Sequence, residues 1–300
     1  MHSDAPGKRA FYKYMSPDTT LAVLANRSVR YSSPLSFNDP FDVQSGLHFD
    51  FNIARLHERV IDRIHVLAAD PSAPELDTDN VWGQLVLKAR EFYPVHGFDR
   101  DRWIKITASA FSELIRVITD TQKQYQTHWQ NNLLPGVRVF CVSEDRDNLL
   151  MWAHYGRDHT GAVVELWSLP QEDNLLSVAR PVEYIQSPVP FFTETQWIED
   201  LTGGEQLDFK ALYRRYAYMK SDHWSYEREW RIWYPYSKST EPHDTVSLRQ
   251  SEVVALYFGC RASADFIRRA LELQRTSFPG AKAFKARKLE SAYAVEYTEI

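Results

Sequence analysis

Three charged side chains recur at every second position near the end of the aromatic-rich run His223–Tyr234. Glu227, Glu229 and Arg231 stand two positions apart. Side chains two positions apart in a β-strand share one face, so this spacing predicts a strand that lines up both carboxylates and the guanidinium. Charges are costly to bury unless they are paired or face a polar cleft, so the segment is our first candidate for an active-site wall. The alternative interpretation is an exposed ladder of charges on a solvent-facing strand.

A second set of reactive side chains lies between Ser143 and Gly161, in a predicted turn and helix between two strands. Such a density of acids, histidines and aromatic residues is common at a functional rim. His154 is the candidate general base, because an unperturbed imidazole titrates at about pH 6.5; the alternative is a histidine packed in the core beside Trp152. Asp147 and its neighbours are metal-ligand types, but their spacing matches no defined metal loop, so no metal is predicted.

Several common catalytic motifs are missing from the sequence. There is no Gly-x-Gly-x-x-Gly and no Gly-Lys-Ser/Thr, which disfavours Rossmann and P-loop sites, and no Gly-x-Ser-x-Gly elbow. Lys220 precedes the charged segment and is interpreted either as a phosphate contact or as a solvated side chain. Cys141 and Cys260 lie in apolar runs and are predicted to be buried free thiols of a reducing compartment.

Composition narrows the class of protein. The net charge of −5 and the pI near 6.1 argue against a broad nucleic-acid-binding surface but leave a local basic groove open. The polar N-terminus does not resemble a signal peptide, and no run approaches the roughly 20 apolar residues of a membrane span. We therefore expect a cytoplasmic protein without a membrane partner.

The elements that must position these residues can be read from hydrophobic periodicity. Strand, helix and strand are predicted over 11–14, 21–25 and 29–32, followed by a loop over 33–42 that Phe37 and Phe41 would anchor. Apolar residues recur at helical spacing from about 50 to 134, with separators between helices over 71–74 and 94–97. Strands return after 136, one of them over 180–185, and a single helix over 264–277 interrupts them. The pattern predicts a single α+β domain over 1–300 with a helical insertion over 50–134.

Four motifs together resemble a bacterial family known as domain of unknown function 2971. They are Tyr12-Lys13-Tyr14, the segment from Tyr31 to Asp42 that contains Asn38-Asp39, the segment Asn148–Tyr155, and Trp224–Arg231. They occur in order along most of the chain. The family carries no established chemistry, but a relative described in abortive phage resistance implies a defence setting.

A weaker resemblance is to ADP-ribosyltransferases, whose split NAD-binding sheet opens with a strand, helix and strand. Tyr12-Lys13-Tyr14 is similar in position to their first motif, Tyr31-Ser32-Ser33 to their second, and Glu227-Arg228-Glu229 to their Glu-x-Glu. The first motif lacks the usual His or Arg unless Lys13 substitutes. The resemblance implies a mixed or antiparallel split sheet and NAD as the substrate.

The leading hypothesis is an enzyme that cleaves NAD and modifies a macromolecule, as a toxin or phage-defence effector. Alternatives are a nuclease that uses Asp147, His154 and Glu227, and a non-catalytic ligand-binding or sensor module. A nucleic-acid or protein acceptor and an antitoxin or defence-operon partner are implied. The predicted catalytic residues are Glu229, Glu227, Arg231 and His154, and the predicted NAD-binding residues are Tyr12, Lys13, Tyr14, Tyr31, Ser32, Asn38, Asp39, Trp152 and Tyr155.

Overall fold

Strands dominate both ends of the chain, and most of the helices lie between them. The computed structural model describes residues 8–70, 72, 80–234 and 237–300. The helices are α1 (Pro17–Asn26), α2 (Ile53–Ala69), α3 (Val81–His96), α4 (Arg100–Thr127), α5 (Leu149–His154), α6 (Glu194–Leu201), α7 (Phe209–Ala217) and α8 (Ala264–Ser277). The strands are β1 (Arg9–Met15), β2 (Ser28–Ser32), β3 (Arg138–Ser143), β4 (Ala162–Ser168), β5 (Arg180–Pro181), β6 (Glu183–Ile185), β7 (Met219–Ser221), β8 (Glu229–Tyr234), β9 (His243–Ser247), β10 (Val253–Phe258), β11 (Lys282–Lys288) and β12 (Val295–Glu299).

The strands form a ten-stranded mixed sheet and a small β6–β7 pair, which confirms the predicted α+β class. Eight strands follow the order β12-β11-β10-β4-β1-β3-β2-β9, while β8 pairs with β3 and β5. Within the large sheet, β10 and β11 are parallel and the other pairs are antiparallel.

The sheet divides along one edge of β3. Strand β8 pairs with β3 over all six residues of each strand, so β1 and β2 must share the opposite edge. Strand β1 reaches that edge at Ser143, whereas β2 reaches it at Val139. Between these points Lys13 Nζ donates a 2.6 Å hydrogen bond to the Cys141 carbonyl. A lysine side chain thus satisfies a backbone group at the place where the two strands separate.

The described residues fall into two compact units. One unit contains the large sheet with α1, α5 and α8, and the other comprises 46–132 and 187–217 with α2–α4, α6 and α7. The second unit is organised by helical periodicity, since Leu56, Val60, Ile64 and Leu67 of α2 are all buried. Helices α2–α4 fall inside the predicted insertion over 50–134, but 187–217 adds two helices that lie far from it in sequence. The single-domain description remains a prediction.

The core of the sheet-containing unit follows from strand alternation and a capped first helix. Pro17 opens α1, and the Ser16 hydroxyl accepts a 3.2 Å hydrogen bond from the Thr19 amide. Leu24 of this helix is buried together with Phe11 of β1 and Phe140 of β3. This packing fixes β1 and α1 beside β3.

The predicted strand over Glu227–Tyr234 begins two residues late. Residues Asp222–Glu227 form a 3₁₀ helix, and Arg228 adopts a left-handed conformation with φ of 45°, so pairing starts only at Glu229. The predicted strand over 180–185 is divided at Val182 between β5 and β6, which belong to different sheets.

Other boundaries differ for local reasons. The predicted separator at Pro94 lies inside α3, which ends two residues later, before Gly97 with φ of 65°. Of the predicted break over 71–74, only Ser72 lies among the described residues.

Phe41 does not anchor its loop, because its side chain is 79% exposed. Both cysteines are free, but they are partly exposed rather than buried. Among the described residues, no helix combines the length and apolar character needed to cross a membrane.

Candidate functional site

A cavity of about 300 Å³ lies where β1 and β2 separate along β3, within the sheet-containing unit. Nine of the predicted site residues line it: Tyr12, Lys13, Tyr14, Ser32, Asn38, Tyr155, Glu227, Glu229 and Arg231. Segments far apart in sequence therefore meet at one cavity. Its volume is within the range of small-molecule sites.

Five charged side chains form a buried group in the wall of this cavity, which we call the charge cluster. All five have less than a tenth of their surface exposed. Its members are Asp42, Lys220, Glu227, Glu229 and Arg231. Three carboxylates and two cations are thus held out of bulk water, which is tolerable only because they pair with one another.

Glu229 is held by two cations. Its Oε1 accepts a hydrogen bond of 2.7 Å from Arg231 Nε. Its Oε2 accepts hydrogen bonds of 3.2 Å from Arg231 Nη2 and 2.9 Å from Lys220 Nζ. Arg231 Nη2 also donates to Asp42 Oδ2 at 2.5 Å. Burial opposes ionisation of Glu229, but Arg231 and Lys220 outweigh it and hold the pKa of this carboxyl below its usual range. Glu229 therefore stays ionised and has little capacity to accept a proton.

Glu227 has weaker support for its charge. Its Oε1 accepts a 2.7 Å hydrogen bond from the Tyr155 hydroxyl, and its Oε2 accepts 2.5 Å from Lys220 Nζ. Burial raises the pKa of Glu227; Lys220 counteracts this effect, whereas the neighbouring Glu229 adds to it, and the net pKa is above the usual range. Of the two glutamates, Glu227 is therefore the one whose surroundings favour proton uptake.

Lys220 lies between the carboxylates and is neither solvated nor free for a phosphate. Besides Glu227 and Glu229, it lies 3.8 Å from Asp42 Oδ2. Burial lowers the pKa of Lys220, but the three carboxylates together raise it above the usual value. The amine remains protonated, which excludes it as a nucleophile at neutral pH. Its burial and its pairing with carboxylates correct both predicted interpretations, the phosphate contact and the solvated side chain.

The 3₁₀ turn before β8 carries Glu227 to the cavity. Ser143 Oγ donates a 2.7 Å hydrogen bond to the Glu227 carbonyl, and Asn148 Nδ2 donates 2.7 Å to the Tyr226 carbonyl. Asn148 Oδ1 also accepts from the amides of Leu150 and Met151, where it caps α5. One asparagine thus fixes both the turn that carries Glu227 and the helix that precedes Tyr155.

Four predicted site residues do not line the cavity. Tyr31 is buried on the other face of β2 from Ser32, stacked on Phe140 with ring centroids 5.0 Å apart. Adjacent strand residues point to opposite faces, so Ser32 lines the cavity and Tyr31 does not. Trp152 is buried, and its Nε1 donates a hydrogen bond of 3.1 Å to the Arg146 carbonyl.

The other two are a loop carboxylate and a histidine. Asp39 lies in the loop after β2 and accepts a 2.8 Å hydrogen bond from the Phe41 amide, so it shapes that loop. His154, at the end of α5, is exposed, and its ring lies 6.2 Å from that of Tyr226. Its role as a general base in this cavity is therefore not supported.

Asp42 and Lys220 line the cavity but are absent from the predicted catalytic and NAD-binding residues. A buried carboxylate partner for Arg231 was required on energetic grounds, but nothing in the spacing of Asn38-Asp39-Pro40-Phe41-Asp42 selects Asp42 over Asp39. In the described part of the chain, no group of three or more His, Cys, Asp or Glu side chains is arranged to hold a metal ion.

Comparison with known proteins gives one match, which covers part of the chain. No curated protein and no solved structure gave a significant match. Residues 151–232, which include Tyr155, Lys220 and the Glu227–Arg231 segment, match the family model described as "Protein of unknown function (DUF2971)", which confirms the predicted resemblance to domain of unknown function 2971.

Proposed function

We propose that the cavity is the active site of an ADP-ribosyltransferase-like enzyme that cleaves NAD and transfers ADP-ribose to a macromolecule. The observation that carries this proposal is the meeting of three separate motifs at one cavity. Tyr12 and Lys13 of β1, Ser32 of β2, and Glu227 with Glu229 all line it where the sheet divides. An ADP-ribosyltransferase-like split sheet and a role as a toxin or phage-defence effector belong to the same proposal.

The two glutamates suit different parts of this reaction. When the bond between ribose C1′ and the nicotinamide nitrogen breaks, both electrons leave with nicotinamide and positive charge develops on the ribose. A fixed negative charge stabilises that state, and Glu229, whose pKa is held low, supplies it. The acceptor then bonds to C1′ and must lose a proton, which Glu227, whose pKa is raised, can accept.

The remaining lining fits a flat ring on a polar sugar. Tyr12, Tyr155 and Phe37 offer aromatic surface for nicotinamide, while Ser32 and Asn38 offer hydrogen-bonding groups. The cavity is small for a whole dinucleotide. A neighbouring cavity of about 740 Å³ shares Lys13, Arg30 and Ser32 with it and provides room for the remainder.

The experiment follows free nicotinamide from labelled NAD, with separate pools of protein, RNA and DNA as acceptors. We expect Glu227→Gln to lower the rate by about 10²–10⁴-fold, the usual contribution of a positioned base. Glu183→Gln is the matched control, because Glu183 is an exposed carboxylate on β6 that does not line the cavity. Absence of nicotinamide release in every pool, or equal loss in both variants, would contradict the proposal.

A non-catalytic binding module is the second candidate. It is favoured by the charge cluster itself, in which each carboxylate already has a cationic partner within 4 Å. Saturable NAD binding without nicotinamide release would support it. The nuclease alternative has less support, because Asp147 and His154 do not line the cavity that contains Glu227.

A further inference from the structure

We propose that a second, basic groove in the sheet-containing unit binds single-stranded nucleic acid. The groove has a volume of about 1190 Å³ and lies among the turn after α5, the turn after β10 and the hairpin between β11 and β12. It is larger than typical small-molecule cavities, which suits a segment of a polymer.

Charge is the first argument for a polyanion. Arg261, Lys285, Arg287 and Lys288 line the groove against one carboxylate of its lining, that of Glu290. The whole chain carries a net charge of −5, so this concentration of cations is local. A positively charged groove that follows a backbone is the usual electrostatic feature of single-strand binding.

The availability of these cations differs. Arg261 and Lys288 are exposed, and neither forms an ion pair with a carboxylate in the described part of the chain. Arg287 pairs with Glu296 across β11 and β12, and Lys285 Nζ donates to the Gly259 and Ala262 carbonyls at 2.7 and 3.1 Å. Arg261 and Lys288 are therefore the charges most available to phosphates.

Backbone strain supports a fixed role for the turn after α5. Arg157, Asp158 and His159 all have positive φ values, of 48°, 55° and 63°. Such conformations cost energy in residues other than glycine and persist where the surroundings enforce them. Here the His159 carbonyl accepts from the Arg261 amide at 3.0 Å, and its ring lies parallel to Trp152. The turn thus holds an imidazole in a defined place at the groove.

An aromatic side chain is the second argument, and it favours nucleic acid over other polyanions. Tyr293, in the hairpin that lines the groove, is fully exposed. Exposed aromatic rings beside a cationic groove serve as stacking surfaces for unpaired bases. Duplexes hide those base faces, so the prediction is specific for single strands.

The groove and the cavity of the proposed active site both border helix α5. Leu149 of α5 lines the groove, whereas Met151, two residues later, lines the cavity. Side chains two positions apart on a helix project to different sides, so the groove and the cavity lie against different faces of α5. Binding in the groove does not rest on the proposed function, since it requires no NAD.

The test is fluorescence anisotropy with labelled single-stranded RNA and DNA over a range of salt concentrations, without NAD. We expect saturable binding that weakens with salt. Arg261→Ala and Lys288→Ala should each reduce the slope of log affinity against log salt by about 0.7. Tyr293→Ala should weaken binding by about tenfold with an unchanged slope, because stacking releases no counterions.

Lys282→Ala is the matched control. Lys282 is an exposed cation on the same strand as Lys288, but it does not line the groove. Unchanged affinity for this variant is expected. The proposal is overturned if neither nucleic acid binds at low salt, if Lys282→Ala weakens binding as much as Lys288→Ala, or if Tyr293→Ala has no effect while a sulfated polysaccharide competes fully.

Discussion

Glu227 and Glu229 stand two residues apart, yet the two regions around them favour opposite protonation states. The region around Glu229 is closed by Arg231 and Lys220, which occupy both carboxylate oxygens. The region around Glu227 offers one cation and one phenol. A Glu-x-Glu spacing therefore does not define two equivalent acids. Their roles follow from which neighbours the turn and the strand bring to each carboxylate.

Removing Arg231, one of the two cations around Glu229, should have the largest effect. Arg231→Met leaves Asp42 and Glu229 buried without their shared guanidinium, and we expect the free energy of unfolding to fall by about 3–5 kcal/mol. Urea denaturation followed by tryptophan fluorescence measures the loss. Arg268→Met is the control, because Arg268 is exposed on α8 and pairs only along the helix surface. A loss below about 1 kcal/mol for Arg231→Met would show that the closed region is not the stabilising one.

Neutralising each glutamate should separate the two regions through the pH dependence of stability. The pKa of Glu229 is lowered on folding, so its contribution is present above the unfolded value of about 4.3 and is lost as the pH falls through the folded pKa. Glu229→Gln should therefore cost about 1.5–3 kcal/mol at pH 7 and much less in acid.

Glu227→Gln should show the opposite trend. The pKa of Glu227 is raised on folding, so its contribution is present below about pH 4.3 and is lost as the pH rises through the folded pKa. The variant should gain stability relative to the unmodified protein as the pH rises above about 4.3, as thermal unfolding at a series of pH values would reveal. Parallel trends for the two glutamine variants would remove the distinction between the regions.

A smaller effect is expected where the sheet divides. Lys13→Met leaves the Cys141 carbonyl without its side-chain donor, which should cost about 0.5–1.5 kcal/mol. Differential scanning fluorimetry measures the change in melting temperature. Lys8→Met, which removes a cation that lies over Trp167, gives a comparison away from the cavity. Equal shifts in the two variants would indicate that Lys13 has no special role in the division.

The smallest effect should come from the phenol beside Glu227. Tyr155→Phe removes a hydrogen bond that favours the ionised carboxylate, so the pKa of Glu227 should rise by a further half to one unit, approximately the value of one hydrogen bond. The acidic limb of the nicotinamide-release profile should move upward by the same amount. Tyr184→Phe is the comparison, because the Tyr184 hydroxyl accepts from the Glu229 amide instead. A larger shift in Tyr184→Phe would reverse the assignment.

Sequence patterns predicted elements with strong periodicity and residues with a repeated spacing. Helix α8 was predicted over Ala264–Ser277, the bounds it has in the structure. Strand β11 was not predicted, because five of its seven residues are lysine or alanine, which have low strand propensity, and tertiary pairing decides its conformation. Helices α6 and α7 are short, which makes their periodicity hard to distinguish from a loop.

The candidate site was predictable where one motif supplies one face. Glu229 and Arg231 share the face that the spacing indicates, and Ser32 lines the cavity as expected. Lys220 and Asp42 could not be assigned in the same way. Asp42 reaches the cluster through a contact that spans 189 positions in sequence, and no local pattern records such a contact. Lys220 meets Glu227 and Glu229 seven and nine positions away, but the 3₁₀ turn over Asp222–Glu227 that brings them together was not predicted.

The most direct test of the account is a carboxyl ¹³C NMR titration of the protein labelled at glutamate Cδ. The Glu227 and Glu229 signals are assigned by their absence from the corresponding glutamine variants. We predict that the Glu227 signal titrates above about pH 4.3 and that the Glu229 signal remains that of an ionised carboxylate at the lowest pH at which the protein is folded. Two signals that titrate together near the ordinary glutamate value would contradict the assignment of one proton carrier and one fixed charge.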